Sequence, residues 1–334
     1  MLVEIRSSEP LVQMREAENV NTRGTPMVSV VIVSWNAKRY LAQCLETLAR
    51  SACTYKTEVL VVDNASTDGS PELVSEGFPT VRLIRNESNL GFSKANNMGI
   101  QQTSGKYVCL VNSDVRVLDQ CITKLVDYME THPKVGLAAP NMLGPDGNVG
   151  RSCRGFPSVW NMFCHAIALD SIFPNWRLVG GYALRYWSQD TNRPVDILGG
   201  WFLIVRRDAL EQVGLLDEEF FFYGEDMDWC KRFHLQGWGV MLLADAASVH
   251  YGGGSSQQAP VEYYIQQQRA DRQYWRKHHS KMEGAAYSCI CVLHQLMRLL
   301  GHGLLIPISP RRKHHAYQAY LSWHCLLWLF SGAQ

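Results

Sequence analysis

Apolar runs of strand length alternate with segments of helical periodicity over residues 28–131. Residues 28–33 form a nearly continuous β-branched run, as expected of a strand buried on both faces of a sheet. The next segment repeats apolar residues at helical spacing, and further strand-length runs follow at 58–62, 81–84 and 107–111. This alternation predicts an α/β fold, a mainly parallel sheet flanked by helices.

Polar residues follow two of the predicted strands at the point where each strand ends. Asp63 follows the run 58–62, and Asp114 closes the polar stretch that follows the run 107–111. In open α/β sheets, ligands bind outside the carboxyl ends of the strands. We therefore expect a binding site at that edge of the sheet.

The residues after Asp63 also predict the start of a helix. Ser70 has the residue type of a helix N-cap, and Pro71 suits the first turn that follows it.

The pattern weakens over residues 140–196, where glycines and prolines are scattered among aromatic residues. We interpret this part as a loop-rich insertion, and binding surfaces often lie on such segments. Strand-like order returns at 197–205, and Gly224, Glu225 and Asp226 then precede an amphipathic helix.

The C-terminal tail carries two apolar stretches, 286–306 and 317–330, with the basic run 311–315 between them. A membrane-spanning helix needs about 20 largely uncharged residues. The first stretch is long enough but is interrupted by His294, Arg298 and His302, and the second stretch is too short. We therefore expect helices that lie in a membrane interface, assisted by the basic run. The alternative is a pair of packing helices that cover the domain or form a homodimer.

These patterns divide the chain into four parts. We expect a flexible leader over residues 1–26, an α/β half over 27–131, a second half with the loop-rich insertion over 132–256, and a C-terminal helical extension over 257–334. The leader lacks the basic start and apolar centre of a signal peptide, which favours a cytoplasmic location.

Composition narrows the class of function. The 334 residues carry 32 Lys and Arg against 31 Asp and Glu, a net charge of +1 that argues against binding nucleic acid by bulk charge. With 46% hydrophobic residues the chain can bury a large core, so wholesale disorder is excluded. The ten cysteines contain no CxxC pair and are typical of core residues in a reduced compartment.

Several familiar chemistries lack their motifs. The turn Ser34, Trp35 and Asn36 after the first strand has no glycine-rich phosphate cradle, and no GKS or GKT motif occurs. The serine-hydrolase elbow GxSxG is also missing. The remaining candidates are acidic residues at strand ends and helix starts.

Each acidic candidate has two interpretations. Asp114 can hold Mg²⁺ or Mn²⁺, or it can satisfy backbone amides in a turn, and Asp63 has the same two interpretations. Glu225 and Asp226 follow an aromatic run, where a raised pKa would suit general base work, or they simply complement the helix dipole. His250 is either a metal ligand or a structural histidine.

The order of these pieces resembles the inverting family 2 glycosyltransferases of GT-A fold, most closely the rhamnosyltransferase-like branch. The likeness covers residues 27–256 and rests on these segments, in order: 30–36, 61–70, 89–97, Asn112-Ser113-Asp114, Gly199-Gly200, Gly224-Glu225-Asp226 and His250.

The resemblance implies that 27–131 is the nucleotide-sugar-binding half and 132–256 the acceptor-binding and catalytic half. It also implies a set of donor-binding residues: Ser34, Asn36, Asp63, Asn64, Asn89, Gly91, Lys94, Asn96, Asn112, Ser113 and Asp114. Among them Asp63 would contact a uracil or thymine ring. Asn112-Ser113-Asp114 stands at the family's DxD position, where Asp114 would contact metal and diphosphate, and His250 would complete the metal site. Because Asn112 replaces the first acid, metal binding would depend on phosphate oxygens of the nucleotide-sugar.

The resemblance also implies the reaction. Asp226, with Glu225 beside it, would act as the base in a single in-line displacement that inverts the anomeric carbon. The donor would be dTDP-rhamnose or a UDP-sugar, and the acceptor a saccharide or lipid-linked saccharide in bacterial polysaccharide or O-antigen assembly. The implied acceptor-binding residues are Arg154, Gly199, Gly200, Trp201 and Tyr223. The alternatives are a sugar nucleotidyltransferase and a non-catalytic nucleotide-sugar-binding protein.

Overall fold

The computed structural model describes residues 24–252 and 260–331 as alternating strands and helices. The strands are β1 (Val28–Ser34), β2 (Thr57–Asp63), β3 (Arg82–Arg85), β4 (Tyr107–Asn112), β5 (Val115–Val117), β6 (Val135–Leu143), β7 (Cys153–Arg154), β8 (Arg193–Pro194), β9 (Ile197–Leu198), β10 (Phe202–Arg206) and β11 (Gly239–His250). The helices are α1 (Lys38–Arg50), α2 (Ser70–Gly77), α3 (Phe92–Gln101), α4 (Cys121–Thr131), α5 (Val159–Ala166), α6 (Leu169–Ile172), α7 (Arg207–Val213), α8 (Glu225–Leu235), α9 (Pro260–His278), α10 (Lys281–Leu305) and α11 (Arg312–Phe330).

Most strands belong to one mixed sheet of order β3-β2-β1-β4-β10-β6-β11-β5, with β8 paired to β11. Strands β1, β2, β3 and β4 are parallel to one another, and β11 is parallel to β6. Strand β10 runs antiparallel to both β4 and β6. The prediction of a mainly parallel sheet flanked by helices is confirmed. Residues 27–131 and 132–256 share this sheet, because β10 pairs directly with β4.

The two faces of β1 explain its continuous apolar run. Val31 belongs to the apolar cluster that contains Ala95 of α3, whereas Ile32 belongs to the cluster that contains Leu41 and Leu45 of α1. All five side chains are buried. Because successive side chains of a strand point to opposite faces, a strand covered by helices on both sides needs apolar residues throughout.

Local details differ from the sequence-based expectations in two places. The third strand begins at Arg82 and not at 81. The prediction that Ser70 caps a helix is wrong, since Gly69 is the cap residue of α2 and the carboxylate of Asp68 accepts the backbone N–H of Ser70 at 3.0 Å. The same carboxylate accepts the N–H of Lys38 at 2.7 Å, so one aspartate stabilises the first turns of α1 and α2.

The predicted insertion at 140–196 contains the end of β6, the short helices α5 and α6, and turns. All ten cysteines are free, and eight of them are buried. Of the predicted leader, residues 1–23 lie outside the described residues, as does the predicted boundary at 256, which falls within 253–259.

Three helices follow the sheet at the C-terminal end. The buried carboxylate of Asp228 on α8 fixes α9, because it accepts from His278 Nε2 and Lys277 Nζ, each at 2.7 Å. Helices α10 and α11 pack against each other. Within the described ranges, α10 is the one helix long and apolar enough to cross a membrane, and 17% of its 18-residue apolar window is buried.

Candidate active site

A cavity of about 580 Å³ opens at the carboxyl ends of β1, β2 and β4. Its walls come from the strand ends, the turn at Asn89 and Gly91, the first turn of α8, and α9. The position agrees with the general rule for open α/β sheets, because the carboxyl ends of parallel strands meet at one edge.

Most of the residues singled out from the sequence line this cavity. They are Asn64, Asn89, Gly91, Asn112, Ser113, Asp114, Arg154, Gly199, Gly200, Trp201, Tyr223, Glu225, Asp226 and His250. The folded chain therefore brings the predicted donor, acceptor and catalytic residues to one place. Five others, Ser34, Asn36, Asp63, Lys94 and Asn96, are not among the lining residues.

Asp63 and Ser34 lie side by side just behind the lining, in register on β2 and β1. Asp63 Oδ2 accepts the N–H of Ser66 at 2.9 Å. Asp63 Oδ1 and Ser34 Oγ are buried and have no hydrogen-bond partner within the described part of the chain. Because a buried acceptor without a partner costs free energy, these two atoms are candidates for contact with a ligand.

The remaining three predicted donor residues are directed elsewhere. Asn36 Oδ1 accepts the N–H of Thr67 at 2.8 Å, and Asn96 Nδ2 donates to the carbonyl of Phe92 at 2.9 Å. Both contacts stabilise the local backbone. Lys94 is exposed on α3.

The turn before α3 is joined to the aromatic loop before α8. Asn89 Oδ1 accepts the N–H of Gly91 at 2.9 Å, and the N–H of Phe92 donates to the carbonyl of Phe221 at 2.7 Å. Gly91 has φ +84°, and a Cβ there would lie 2.6 Å from the Phe221 carbonyl oxygen. Only glycine allows this approach, which joins the turn at Asn89 to the loop at Phe221.

Asp114 and His250 form a polar pair in the cavity wall. Strand β11 brings His250 beside Val115 of β5, so that His250 Nε2 lies 3.2 Å from Asp114 Oδ1. The imidazole also stacks on the indole of Trp201, with ring centroids 5.5 Å apart. Strand pairing and ring stacking thus orient the histidine toward the carboxylate.

The chemistry of this corner fits a hard divalent cation. A carboxylate oxygen and an imidazole nitrogen are available, and Asn112 Oδ1 is buried there without a hydrogen-bond partner in the described residues. Oxygen ligands with one imidazole suit Mn²⁺ or Mg²⁺. No cluster of three or more His, Cys, Asp or Glu side chains suited to a metal occurs in residues 24–252 and 260–331. A bound cation would therefore need further oxygens from a ligand.

Asp226 lies in the first turn of α8, which begins after Gly224 at φ +83°. Asp226 Oδ2 accepts the N–H of Gly200 at 3.0 Å and lies 3.5 Å from a guanidinium nitrogen of Arg154. Asp226 Oδ1 accepts the N–H of Met227 at 2.8 Å. These contacts orient the carboxylate at the cavity wall.

Among the carboxyl groups that line the cavity, Glu225 has the pKa that lies furthest from its ordinary value. Burial, together with the adjacent charge of Asp226, raises the pKa of Glu225 well above its usual value. Its Oε2 atom is buried and has no hydrogen-bond partner among the described residues. The expectation of a raised pKa in this aromatic setting is met at Glu225.

Helix α9 contributes lining residues that the sequence analysis does not identify: Tyr263, Gln267 and Asp271. Burial raises the pKa of Asp271 to about 6. The sequence does predict a helix here, because Ala270, Tyr274 and Trp275 recur at helical spacing, and in the structure all three are buried. No local feature of the sequence, however, shows that its other face reaches the cavity.

Comparisons with known proteins support one family. The family model "Glycosyl transferase family 2" matches residues 29–213. The chain is 31% identical over 250 residues to N-acetylglucosaminyl-diphospho-decaprenol L-rhamnosyltransferase of Mycobacterium tuberculosis, covering 72% of this chain and 80% of that protein. It is 25% identical over 242 residues to the O-antigen biosynthesis protein RfbC of Myxococcus xanthus, covering 70% of this chain and 18% of that protein.

A solved structure supports the same fold. The mannosyltransferase PcManGT from Pyrobaculum calidifontis, in complex with GDP-Man and Mn²⁺, superposes with a TM-score of 0.57. The match covers 97% of this chain and 95% of that chain at 17% identity, which is evidence for the fold alone. Since the family model spans more than half of the chain and the mycobacterial relative aligns over most of its length, the chain belongs to glycosyl transferase family 2 and has the GT-A fold.

Proposed function

We propose that this chain transfers a rhamnosyl or hexosyl group from a nucleoside-diphosphate sugar to a hydroxyl of a saccharide acceptor, with inversion at the anomeric carbon. One observation carries the proposal: Asp226 shares a single cavity with the Asp114 and His250 pair. A base on one side and a diphosphate-binding corner on the other are what a single in-line displacement needs.

Asp226 is the proposed general base. The N–H groups of Gly200 and Met227 hold its two oxygens, so the carboxylate is oriented before the acceptor arrives. It takes the proton of the acceptor hydroxyl as that oxygen forms its bond to the anomeric carbon. The bond from the anomeric carbon to the diphosphate breaks in the same step. General base catalysis of this kind contributes about 10²- to 10⁴-fold in rate.

Asp114 and His250 are the proposed protein ligands of Mg²⁺ or Mn²⁺. Such a cation, when bound, neutralises charge on the departing diphosphate. The Mn²⁺ in the complex of the Pyrobaculum mannosyltransferase supports this at the level of the fold. Asp114 keeps its carboxylate oriented through His250, and the indole of Trp201 supports the imidazole.

For the donor we propose a uracil or thymine nucleotide. Both bases carry an imide N–H, which Asp63 Oδ1 can accept, and this oxygen has no partner among the described residues. Rhamnose as the sugar, with dTDP as its carrier, is supported by the rhamnosyltransferase from Mycobacterium tuberculosis, and a UDP-hexose is the second candidate.

For the acceptor we propose a saccharide carried on a lipid, at the inner face of the cytoplasmic membrane and in polysaccharide or O-antigen assembly. The names of the mycobacterial relative and of RfbC support this choice. The two last helices support it independently. The outer face of α10 is apolar, with Leu300 63% and Leu304 73% exposed.

Over residues 294–302 of α10 the polar side chains bond neighbouring helices, the reverse of a helix on a water-soluble surface, whereas Lys281 and Glu283 at its start are exposed. Gln295 is fully buried and donates to Tyr264 Oη at 2.9 Å, and Arg298 bonds Gln318 of α11. The outer face of α11 carries Tyr320 and Trp323. Apolar residues outward and polar residues inward suit contact with lipid, and exposed aromatic residues suit the headgroup region.

Two alternative functions and one alternative use of the apolar face were also predicted from the sequence. The family model and the mycobacterial relative are both glycosyltransferases, which favours transfer of a sugar over the reaction of a sugar nucleotidyltransferase. A non-catalytic nucleotide-sugar-binding protein remains an outcome of the test, and a homodimer remains an alternative use of the apolar face.

The test compares the wild type with Asp226→Asn. Purified protein is given dTDP-rhamnose or UDP-hexoses, Mn²⁺ and octyl glycoside acceptors, and nucleotide release and product anomericity are measured. We expect an inverted product, and about 10²- to 10⁴-fold loss of turnover in Asp226→Asn with unchanged nucleotide affinity.

The matched control is Asp190→Asn, which removes an exposed carboxylate outside the cavity lining. Turnover by Asp226→Asn equal to the wild type removes Asp226 from the role of base. Nucleotide-sugar binding without transfer to any acceptor of the panel would favour the binding protein.

A further inference from the structure

Helix α9 lines the cavity together with the strand ends, and Asp271 on this helix and Asp226 line the same space. The helix lies beyond the segment 29–213 that the family model matches. Its C-terminal end is anchored to α8, because the buried Asp228 accepts from both His278 and Lys277. Asp271 is therefore a fixed feature of this cavity.

The two carboxylates differ in what they already bind. Asp226 accepts backbone N–H groups on both oxygens. No donor from the described residues lies within hydrogen-bond distance of the Asp271 carboxylate, although burial raises its pKa. Asp271 is partly exposed in the cavity wall, so hydroxyl groups of a ligand can reach its carboxylate and would stabilise it by hydrogen bonding.

A single guanidinium serves both carboxylates. Arg154 donates to Tyr182 Oη at 3.4 Å and lies 3.5 Å from Asp226 Oδ2, and its charge also acts on Asp271. The other arginine in the lining, Arg151, donates to the backbone carbonyl groups of Leu184, Arg185 and Trp187. Burial raises the pKa of Glu225, so Asp226 and Asp271 are the two carboxylates on which the charge of Arg154 acts. The local charge is negative, so a further anion here would be repelled.

We propose that Asp271 binds hydroxyl groups of the acceptor sugar and that this end of the cavity selects a neutral acceptor sugar over one that carries a carboxylate. The proposal rests on the proposed function, because it takes the side of Asp226 as the acceptor side. Two hydroxyls of one sugar ring can donate to the two oxygens of Asp271 while a third hydroxyl donates to Asp226. A uronic acid would bring a third carboxylate to the same end.

The test measures binding of two probes to protein saturated with dTDP and Mn²⁺. Octyl β-N-acetylglucosaminide is the neutral probe, octyl β-glucuronide is the anionic probe, and titration calorimetry gives each Kd. For the wild type we expect tighter binding of the neutral probe by at least about 10-fold. In Asp271→Asn we expect the neutral probe to weaken by about 10- to 100-fold and the preference over the glucuronide to shrink.

Two further variants keep the result interpretable. Asp271→Glu retains the charge, so it should retain discrimination against the glucuronide even where affinity falls. Glu262→Gln removes an exposed carboxylate from the same helix and should leave both Kd values unchanged. Where transfer is observed, Asp271→Asn should raise the acceptor KM far more than it lowers kcat.

Equal affinity of the wild type for both probes, or a neutral-probe Kd that Asp271→Asn leaves unchanged, would overturn the proposal. This readout is independent of turnover. If the wild type transfers no sugar but still binds the neutral probe more tightly than the glucuronide, the result counts against the proposed function and not against the role of Asp271.

Discussion

His250 Nε2 lies 3.2 Å from Asp114 Oδ1, although the two residues come from the end of β11 and from the turn between β4 and β5. The antiparallel pairing of β11 with β5 produces this contact. We expect nucleotide binding to depend on Mn²⁺ through this pair.

The variants Asp114→Asn and His250→Gln test that dependence. In the wild type, Mn²⁺ should increase the thermal stabilisation by dTDP or UDP, and ligand at 100 times its Kd adds about 2.7 kcal/mol. Both variants should lose most of the Mn²⁺-dependent part, measured by thermal shift with and without the metal. His132→Gln, at an exposed histidine outside the cavity lining, is the control. A full Mn²⁺ effect in both variants would exclude the pair as ligands.

Glu225→Gln should change the pH dependence of stability. The pKa of Glu225 is raised in the folded chain to about 8 from an ordinary value of 4.5, so its charged form destabilises the native state. That penalty is absent below the ordinary pKa, grows as pH rises and is complete above the raised pKa. The amide has no such penalty. The stability of Glu225→Gln relative to the wild type should therefore increase between pH 5 and pH 8.5, measured by urea denaturation.

The control for this series is Glu262→Gln, because Glu262 is exposed and has the same side chain. The relative stability of that variant should be nearly constant over the same range. If Glu225→Gln shows the same flat profile, Glu225 ionises freely in the folded protein and the interpretation of its burial is wrong.

Gly91→Ala should destabilise the chain and weaken donor binding. Its backbone has φ +84° and ψ 177°, a region that essentially only glycine adopts and that costs other residues about 1–3 kcal/mol. The added Cβ would also lie 2.6 Å from the Phe221 carbonyl oxygen. Gly147→Ala is matched in φ, at +80°, and has open space around the added Cβ. Chemical denaturation of both variants separates the two effects, and equal destabilisation would mean that the contact with Phe221 contributes little.

Leu300→Ser and Trp323→Ser should weaken binding to vesicles that contain anionic lipid. Each side chain is more than half exposed, so the substitutions should leave the fold intact. Burying a side chain of this size is worth about 1.5–3 kcal/mol, which corresponds to roughly 10- to 100-fold in partitioning. Binding should also fall with added salt, because the run 311–313 is basic and exposed. Sedimentation with vesicles measures both effects.

The control is Leu235→Ser, which removes a side chain of similar exposure (67%) at the end of α8. Unchanged partitioning in Leu300→Ser and Trp323→Ser would contradict membrane contact through this face. A shift from dimer to monomer in the same variants would instead assign the face to a second copy of the chain.

The sequence by itself determined the class of fold and the edge of the sheet at which the cavity opens. A β-branched run such as 28–33 is a local signal, because burial on both faces demands apolar residues at every position. The polar residues at 63 and 112–114 are also a local signal, because the apolar run that marks a buried strand ends where they begin. The order of motifs along the chain was also enough for the family, which the comparisons confirmed.

Only the tertiary structure decided which of these side chains reach the cavity and what joins them there. Asn96 has the right residue type yet bonds its own helix, whereas Asp271, from a helix far along the chain, lines the cavity beside Asp226. Likewise, the apolar content of α10 is visible in the sequence, but the inward direction of Gln295 is not. The physical reason is that residue type and spacing are local properties. The direction of a side chain depends on strand pairing and helix packing between segments that are distant in the sequence.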